Sequence, residues 1–290
     1  MSTESTIGGA FEQACLQLLE AGVEGARLDA RLLIAHVTGS DTASVFGYPE
    51  RPIDEGQVRE LSQLVERRIN REPMAHILGT REFWSLPFIV TPDTLVPRPD
   101  SETLIEAVLQ YFSKTTEQRS ILDLGTGSGC LLLTLLSEFS DASGTGVDRS
   151  DAALEIAERN AKALNLDHRA SFVKGNWVDG IKDQFDIIIS NPPYIPSDEI
   201  QNLDADVALF EPVSALDGGA DGLDSYRRIV AQIPRVMAKE AYIFLEIGVG
   251  QAPAVADMIE ASGMQVVDIK KDLSGIERCV VGATNFPDDV

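Results

Sequence analysis

The sequence predicts an α/β protein in which a mostly parallel sheet carries helices on both faces and is preceded by a small all-helical domain. Three observations carry this reading. From Ser120 onward, β-prone runs alternate with helical ones, the pattern of a sheet built from strand–helix–strand units. Before Glu72 the periodicity is helical throughout. Between the two lies a short β-prone stretch broken by prolines. At 290 residues the chain exceeds the usual size of one domain. We divide it into a helical domain over 1–80, a β-hairpin linker over 81–98 and an α/β domain over 99–290.

In the first domain Phe11, Cys15, Leu16, Leu18 and Leu19 recur at helical spacing. Leu28, Leu32, Leu33 and His36 do the same, as do Val58, Leu61, Leu64 and Val65. Gly22 and Gly39 punctuate the first two helices. His36 falls on the apolar side of its helix and reads as a core histidine rather than a ligand. The linker holds Phe83-Trp84, Leu86-Pro87-Phe88 and Ile89-Val90, continues through Leu95-Val96 and stops at Pro97-Arg98-Pro99. Asp100 is placed to cap a helix over 101–114, with Glu102 in its first turn, where the helix dipole favours an acid. Strands are expected at 121–124, 144–147, 170–173, 185–189 and 241–247, with two more near 266–269 and 278–281. Helices fill the gaps up to Glu138 and over 152–164. In such sheets ligands bind beyond the carboxyl ends of the strands.

Charge narrows the partners. The formal net charge is −22, of which −5 lies in residues 1–98 and −17 in the rest. A protein that grips nucleic acid normally presents a basic face, because neutralising phosphates supplies much of its affinity. This chain instead suits a neutral or basic macromolecule, and no nucleic-acid partner is expected. The three cysteines, Cys15, Cys130 and Cys279, are far apart and form no CxxC, so neither a disulfide framework nor a metal site is expected. Met1-Ser2-Thr3-Glu4-Ser5 lacks the basic-then-apolar layout of a signal peptide, and no apolar run reaches membrane-spanning length. A cytoplasmic monomer without membrane contact is the expectation.

The chemistry-bearing loop follows the first strand of the α/β domain as Asp123-Leu124-Gly125-Thr126-Gly127-Ser128-Gly129. Glycines there permit a tight strand-to-helix turn and let a ligand approach the backbone. The dinucleotide fingerprint would need a third glycine at Cys130, and the sequence gives GxGxG instead. Asp123 at the mouth of the loop would repel a pyrophosphate and suit a ligand carrying a sulfonium and an ammonium. Asp148 ends the next strand, where a carboxylate can accept both ribose hydroxyl protons. Gly175-Asn176-Trp177 follows the third strand as a loop, although a core tryptophan is the plainer reading of Trp177.

The fourth strand ends in Ser190-Asn191-Pro192-Pro193-Tyr194. Neither proline can donate a ladder hydrogen bond, so pairing stops and carbonyls are left free. An amide nitrogen is a poor nucleophile, its lone pair held in a resonance worth a rotation barrier of about 18–20 kcal/mol. Acceptors on Asn191 and on the Pro192 carbonyl can hold its two protons, each such preorganised bond contributing about 3–4 kcal/mol. Tyr194 can cover one face of the planar group and exclude water. No strong base is needed, because the nitrogen becomes acidic only after it is alkylated.

The glycine loop and Asp148 resemble motifs I and II of the class I (Rossmann-like) S-adenosylmethionine-dependent methyltransferase fold, and Asn-Pro-Pro-Tyr resembles the motif of enzymes that methylate planar nitrogens. Over nearly its whole length the chain is similar to the peptide chain release factor glutamine methyltransferases, the PrmC/HemK family. Matching features include Pro97-Arg98-Pro99, Gly175-Asn176-Trp177, Phe210-Glu211-Pro212, Leu216-Asp217-Gly218-Gly219, Asp221-Gly222-Leu223 and Leu245-Glu246-Ile247-Gly248. Two departures stand out, Asp100-Ser101 for a frequent Glu-Thr and Phe210 for a frequent Tyr, neither expected to touch the acceptor site. The resemblance implies S-adenosylmethionine as cofactor, held by Asp123, Gly125, Thr126, Gly127, Ser128, Gly129, Asp148, Trp177 and Asn191. It also implies catalysis by Asn191, Pro192, Pro193 and Tyr194 on the glutamine of the Gly-Gly-Gln motif in class 1 release factors. Glu246 has no role assigned by the sequence. Two other readings stay open: an N6-adenine methyltransferase acting on DNA or RNA, and a non-catalytic module that binds the cofactor. Labelled methyl transfer to release factor or to nucleic acid separates all three.

Overall fold

The computed structural model describes residues 6–112 and 118–284. It forms two units. One runs to Gly79 and includes Asp204–Phe210; the other holds Thr80–Leu203 and the chain from Glu211 onward.

The first unit contains α1 (Ile7–Glu20), α2 (Ala26–Thr38), α3 (Thr42–Gly47), α4 (Glu55–Ile69) and α5 (Met74–Leu78). Three of the starts are capped locally. Thr6 Oγ1 accepts from the Gly9 N–H, Asp41 accepts from Ser44, and Asp54 with Gln57 forms a reciprocal capping box. Gly39 closes α2 in the left-handed conformation. Phe11, Cys15, Leu18, Leu33, Ile34, Leu61, Leu64 and Val65 form the core. Leu16, Leu19 and Leu28, which share the helical spacing, lie 59%, 55% and 49% exposed instead, because each helix turns only one stripe inward. His36 is exposed as well and is no core histidine. It occupies the last turn of α2.

The second unit opens with the antiparallel hairpin β1 (Thr80–Phe83) and β2 (Leu86–Ile89). Trp84 and Ser85 at its tip have φ of 52° and 60°, the left-handed pair of a two-residue turn whose twist matches the strands. Glu102 accepts from the Trp84 N–H at 3.0 Å, and Glu138 accepts from its indole N–H at 2.8 Å. Phe83 and Phe88 bury in the α/β core, so the stretch set apart by its prolines is packed into that unit. The next helix, α6 (Glu102–Tyr111), follows a 3-10 turn at Pro99–Ser101 and has no side-chain cap. Asp100 lies within that turn and pairs with Arg278 at 3.1 Å, so it does not cap the helix. Lys114, the expected helix end, lies outside the described residues.

Alternation then proceeds through β3 (Ser120–Leu124), α7 (Cys130–Glu138), β4 (Ser143–Asp148), α8 (Asp151–Ala163), β5 (Ala170–Lys174) and β6 (Phe185–Ser190). The segment Asp204–Phe210 with its short α9 (Ala205–Ala208) clusters with the helical unit, where Asp206 lies 3.6 Å from Arg68. The α/β unit closes with α10 (Asp224–Gln232), β7 (Met237–Glu246), α11 (Ala252–Ala261), β8 (Gln265–Lys271) and β9 (Glu277–Ala283). The seven strands run in the order β5-β4-β3-β6-β7-β9-β8. Those from β5 to β7 are parallel, and β9 is antiparallel to both of its neighbours. Strand alternation sends Ile121, Ile187, Ile189 and Phe244 to the face covered by α6 and α7. Leu122, Leu124, Ile188, Ile243 and Leu245 face α10 and α11. Strand order reverses between β3 and β6, which places a crevice at their carboxyl ends. Among the described residues, no helix is long and apolar enough to cross a membrane.

Candidate active site

A cavity of about 290 Å³ opens at that crevice. Gly125, Thr126, Gly127 and Ser128 line it from the turn after β3, Asp148 from the end of β4, Gly175 and Trp177 from the loop after β5, and Asn191 and Pro193 from the end of β6. The turn is pinned by the Gly125 and Thr126 N–H groups, which donate to the Val147 carbonyl at 2.8 and 3.0 Å. Gly125 and Gly129 have φ of 74° and 80°, where side chains are strained. A Cβ on Gly129 would also stand 3.3 Å from that of Ala157. Gly129 therefore serves close packing of α7 on α8 and does not line the cavity.

Asp148 uses both carboxylate oxygens locally: Oδ2 accepts from Gly127 N–H at 3.0 Å and Oδ1 from Ser150 N–H at 2.9 Å. It thereby shapes the glycine loop while keeping lone pairs for a ligand. Trp177 is half-buried in a loop at a left-handed φ of 59°, its ring near Gly125. Asp123 differs from expectation. It is fully buried behind the loop instead of standing at its mouth, with Oδ2 accepting from the Thr126 hydroxyl at 2.6 Å. Its Oδ1 is buried without a donor among the described residues. Desolvation, helped by the nearby Asp148 charge, pushes its carboxyl up to about 7 against the Thr126 bond.

The Ser190 hydroxyl donates to the Leu124 carbonyl at 2.6 Å, tying the end of β6 to that of β3. Asn191 follows and donates its Nδ2 to Ser101 Oγ at 3.2 Å. Among the described residues no donor reaches Asn191 Oδ1 or the Pro192 carbonyl. Pro192 and Tyr194 are not on the cavity wall. The Tyr194 carbonyl accepts from Gln251 Nε2 at 2.9 Å, and its hydroxyl makes a long 3.5 Å contact to Glu246. The Gly218 and Gly222 backbones press against Tyr194 so closely that a Cβ on either would come within 2.8 Å of its main chain. Those glycines explain the Asp-Gly-Gly and Asp-Gly-Leu motifs as packing against the acceptor loop.

Four residues escaped sequence reasoning. Asn160 on α8 donates to the Ser128 and Ile89 carbonyls at 2.8 and 3.0 Å and accepts from the Ile89 N–H at 2.7 Å. It joins the glycine loop to the hairpin; a lone polar residue on the buried face of α8 was the available signal. Gln251 bonds Gly248, Tyr226 and Tyr194 together. Ser101, within one of the two departures, does touch Asn191. Glu246 is buried beneath Tyr194, and desolvation raises its carboxyl to about 7 against the Ser101 hydroxyl. No cluster of His, Cys, Asp and Glu fit for a metal occurs among the described residues.

Known proteins resemble this arrangement. The family described as PrmC N-terminal domain matches residues 9–79, and the methyltransferase small domain matches residues 100–212. A release factor glutamine methyltransferase of Rhodospirillum rubrum is 46% identical over 95% of this chain and 84% of its own. One from Bradyrhizobium diazoefficiens is 43% identical, covering 96% and 95%. Among solved structures, a methyltransferase from Pyrococcus furiosus shares the fold at a TM-score of 0.53 and 18% identity, covering 78% of this chain and 97% of that one. The 16S rRNA methyltransferase RsmC of T. thermophilus, in complex with AdoMet and guanosine, reaches 0.50 at 18% identity, covering 71% and 50%. With full-length relatives at this identity and its fold shared by methyltransferases, the chain belongs to the release factor glutamine methyltransferase family.

Proposed function

We propose that this chain transfers the methyl group of S-adenosylmethionine to the side-chain amide nitrogen of the glutamine in the Gly-Gly-Gln motif of class 1 peptide chain release factors. One observation carries the reading: Asn191 lines the glycine-loop cavity, and neither its Oδ1 nor the carbonyl of the adjoining Pro192 has a donor among the described residues. Two acceptors fit the two N–H groups of a primary amide, whose lone pair is then freed for attack. The cofactor supplies a methyl group made electrophilic by a positively charged sulfur. The glycine turn lets that ligand approach the backbone, Asp148 offers acceptors for ribose hydroxyls, and Trp177 supplies an apolar wall. Asp123, buried behind the turn, is an acid whose charged form a cationic ligand would favour. Tyr194, which does not line the cavity, is held behind it by Gln251.

Replacing Asn191 by Ala should lower kcat roughly 10²–10³-fold, the scale seen when one preorganised hydrogen-bonding group is removed. Near-normal turnover by a folded Asn191→Ala enzyme would show that the amide is held elsewhere. Labelled methyl appearing in nucleic acid and not in release factor would favour the adenine alternative. The helical unit, which carries none of the proposed catalytic residues, recognises the release factor body in this reading. Placing charge on the exposed apolar Leu16 and Leu19 (Leu16→Glu, Leu19→Glu) should then raise KM for whole release factor and leave a short glutamine peptide unaffected. Equal kinetics on both substrates would remove that role from this face. We further read the enzyme as a cytoplasmic monomer needing no nucleic acid; a light-scattering mass at twice that of the chain would overturn the monomer.

A further inference from the structure

Recognition of an amide by Asn191 demands a choice that Asn191 cannot make alone. Its Oδ1 and Nδ2 are nearly equal in size and opposite in hydrogen-bonding sense. If Nδ2 faced the acceptor, donor would meet donor. The position next to Asn191 that breaks this symmetry is Ser101, whose Oγ receives the Nδ2 hydrogen at 3.2 Å. Ser101 is 3% exposed and fixed at the end of the 3-10 turn that leads into α6.

A hydroxyl can itself donate or accept, so its own proton must be directed elsewhere for this arrangement to hold. Glu246 provides the direction. It ends β7 and is 2% exposed, its Oε2 is buried without a partner among the described residues, and the Ser101 hydroxyl favours its charged form. Tyr194 contacts the same carboxylate at Oε1. With its proton turned toward Glu246, Ser101 offers Asn191 a lone pair alone.

We propose that Ser101 is a positioning residue that locks the Asn191 amide with Oδ1 toward the acceptor. This rests on the amide-methylation reading given above. Ser101 touches no reacting atom in this scheme; it acts through Asn191.

The test compares Ser101→Ala and Ser101→Thr with wild type, using whole release factor and S-adenosylmethionine. Loss of a supporting hydrogen bond behind an active group typically costs about 10-fold to 100-fold. Ser101→Ala should therefore lower kcat by about that factor, with KM and the cofactor dissociation constant within about twofold of wild type. Ser101→Thr keeps the hydroxyl and should recover most of the rate. Independently of turnover, the NMR resonance of the Asn191 side-chain amide should move in Ser101→Ala and stay near its wild-type position in Ser101→Thr. Unchanged kcat in Ser101→Ala would overturn the proposal, as would an equal loss in both variants. Asn191→Ala separates the levels: if it is inactive while Ser101→Ala is normal, amide recognition stands and the role of Ser101 falls. If Asn191→Ala is fully active, the reading beneath both falls.

Discussion

Asp123 shows how a single residue can be costly to the fold and still suit the ligand. Its carboxyl is buried with only one oxygen bonded, and burial lifts it from an ordinary carboxylate value of 3.8 to about 7. The folded state therefore holds a proton there that the unfolded state has already lost between about pH 4 and 7. By linkage, this group's contribution to stability falls as pH rises through that window and is level above it. Each pH unit corresponds to about 1.4 kcal/mol, so the ceiling is about 4 kcal/mol. Asp123→Asn keeps an acceptor for Thr126 and removes the titration. Its melting temperature should match wild type near pH 4, exceed it increasingly up to about pH 7 and by a constant margin above, while affinity for the cationic cofactor falls. Melting curves of the two proteins that stay parallel across pH 4–7 would show that Asp123 is not titrating as its burial implies.

At the scale of elements, the glycine loop, hairpin and α8 are joined through one side chain. Asn160→Ala would leave the Ile89 N–H and the Ile89 and Ser128 carbonyls without their partner. Each buried unpaired group costs about 1–3 kcal/mol, so with three of them a loss of about 3 kcal/mol or more is expected, with weaker cofactor binding because Ser128 lines the cavity. Urea denaturation showing a loss below about 1 kcal/mol would mean that these groups find other partners. Such joints also mark where sequence reading stops. The strand–helix alternation, the GxGxG turn and the Asn-Pro-Pro break were legible because each follows from residues adjacent along the chain. The Trp84-Ser85 turn was not, since two bulky or polar residues adopt left-handed backbone that local preference gives to glycine or asparagine, and carboxylates from α6 and α7 hold one of them. Ser101 meets Asn191 across 90 positions and Ile89 meets Asn160 across 71, distances at which no periodicity carries information. His36 and Asp100 went astray for a related reason: a helical face or a helix start is fixed by neighbours, and spacing alone gives neither.

For the whole molecule, the consequential property is charge. A net −22 chain generates a field that reaches beyond its own contacts and draws in a basic partner before docking. Salt shortens that reach, with a Debye length of about 10 Å at 0.1 M and about 3 Å at 1 M. If the release factor presents basic surroundings to this acidic enzyme, raising salt from about 0.05 to 0.5 M should lower kcat/KM for whole release factor by about 10-fold or more. The change should lie in KM, because kcat reports steps after the partner has docked. A short neutral glutamine peptide lacks the basic surface and should show little salt dependence, which makes it the control for direct effects on the site. Two outcomes would contradict the electrostatic account. Salt-independent KM for whole release factor would mean that the charge serves solubility alone. An equal salt effect on peptide and whole substrate would place the sensitivity in the cavity, with its Asp148, and not in the encounter.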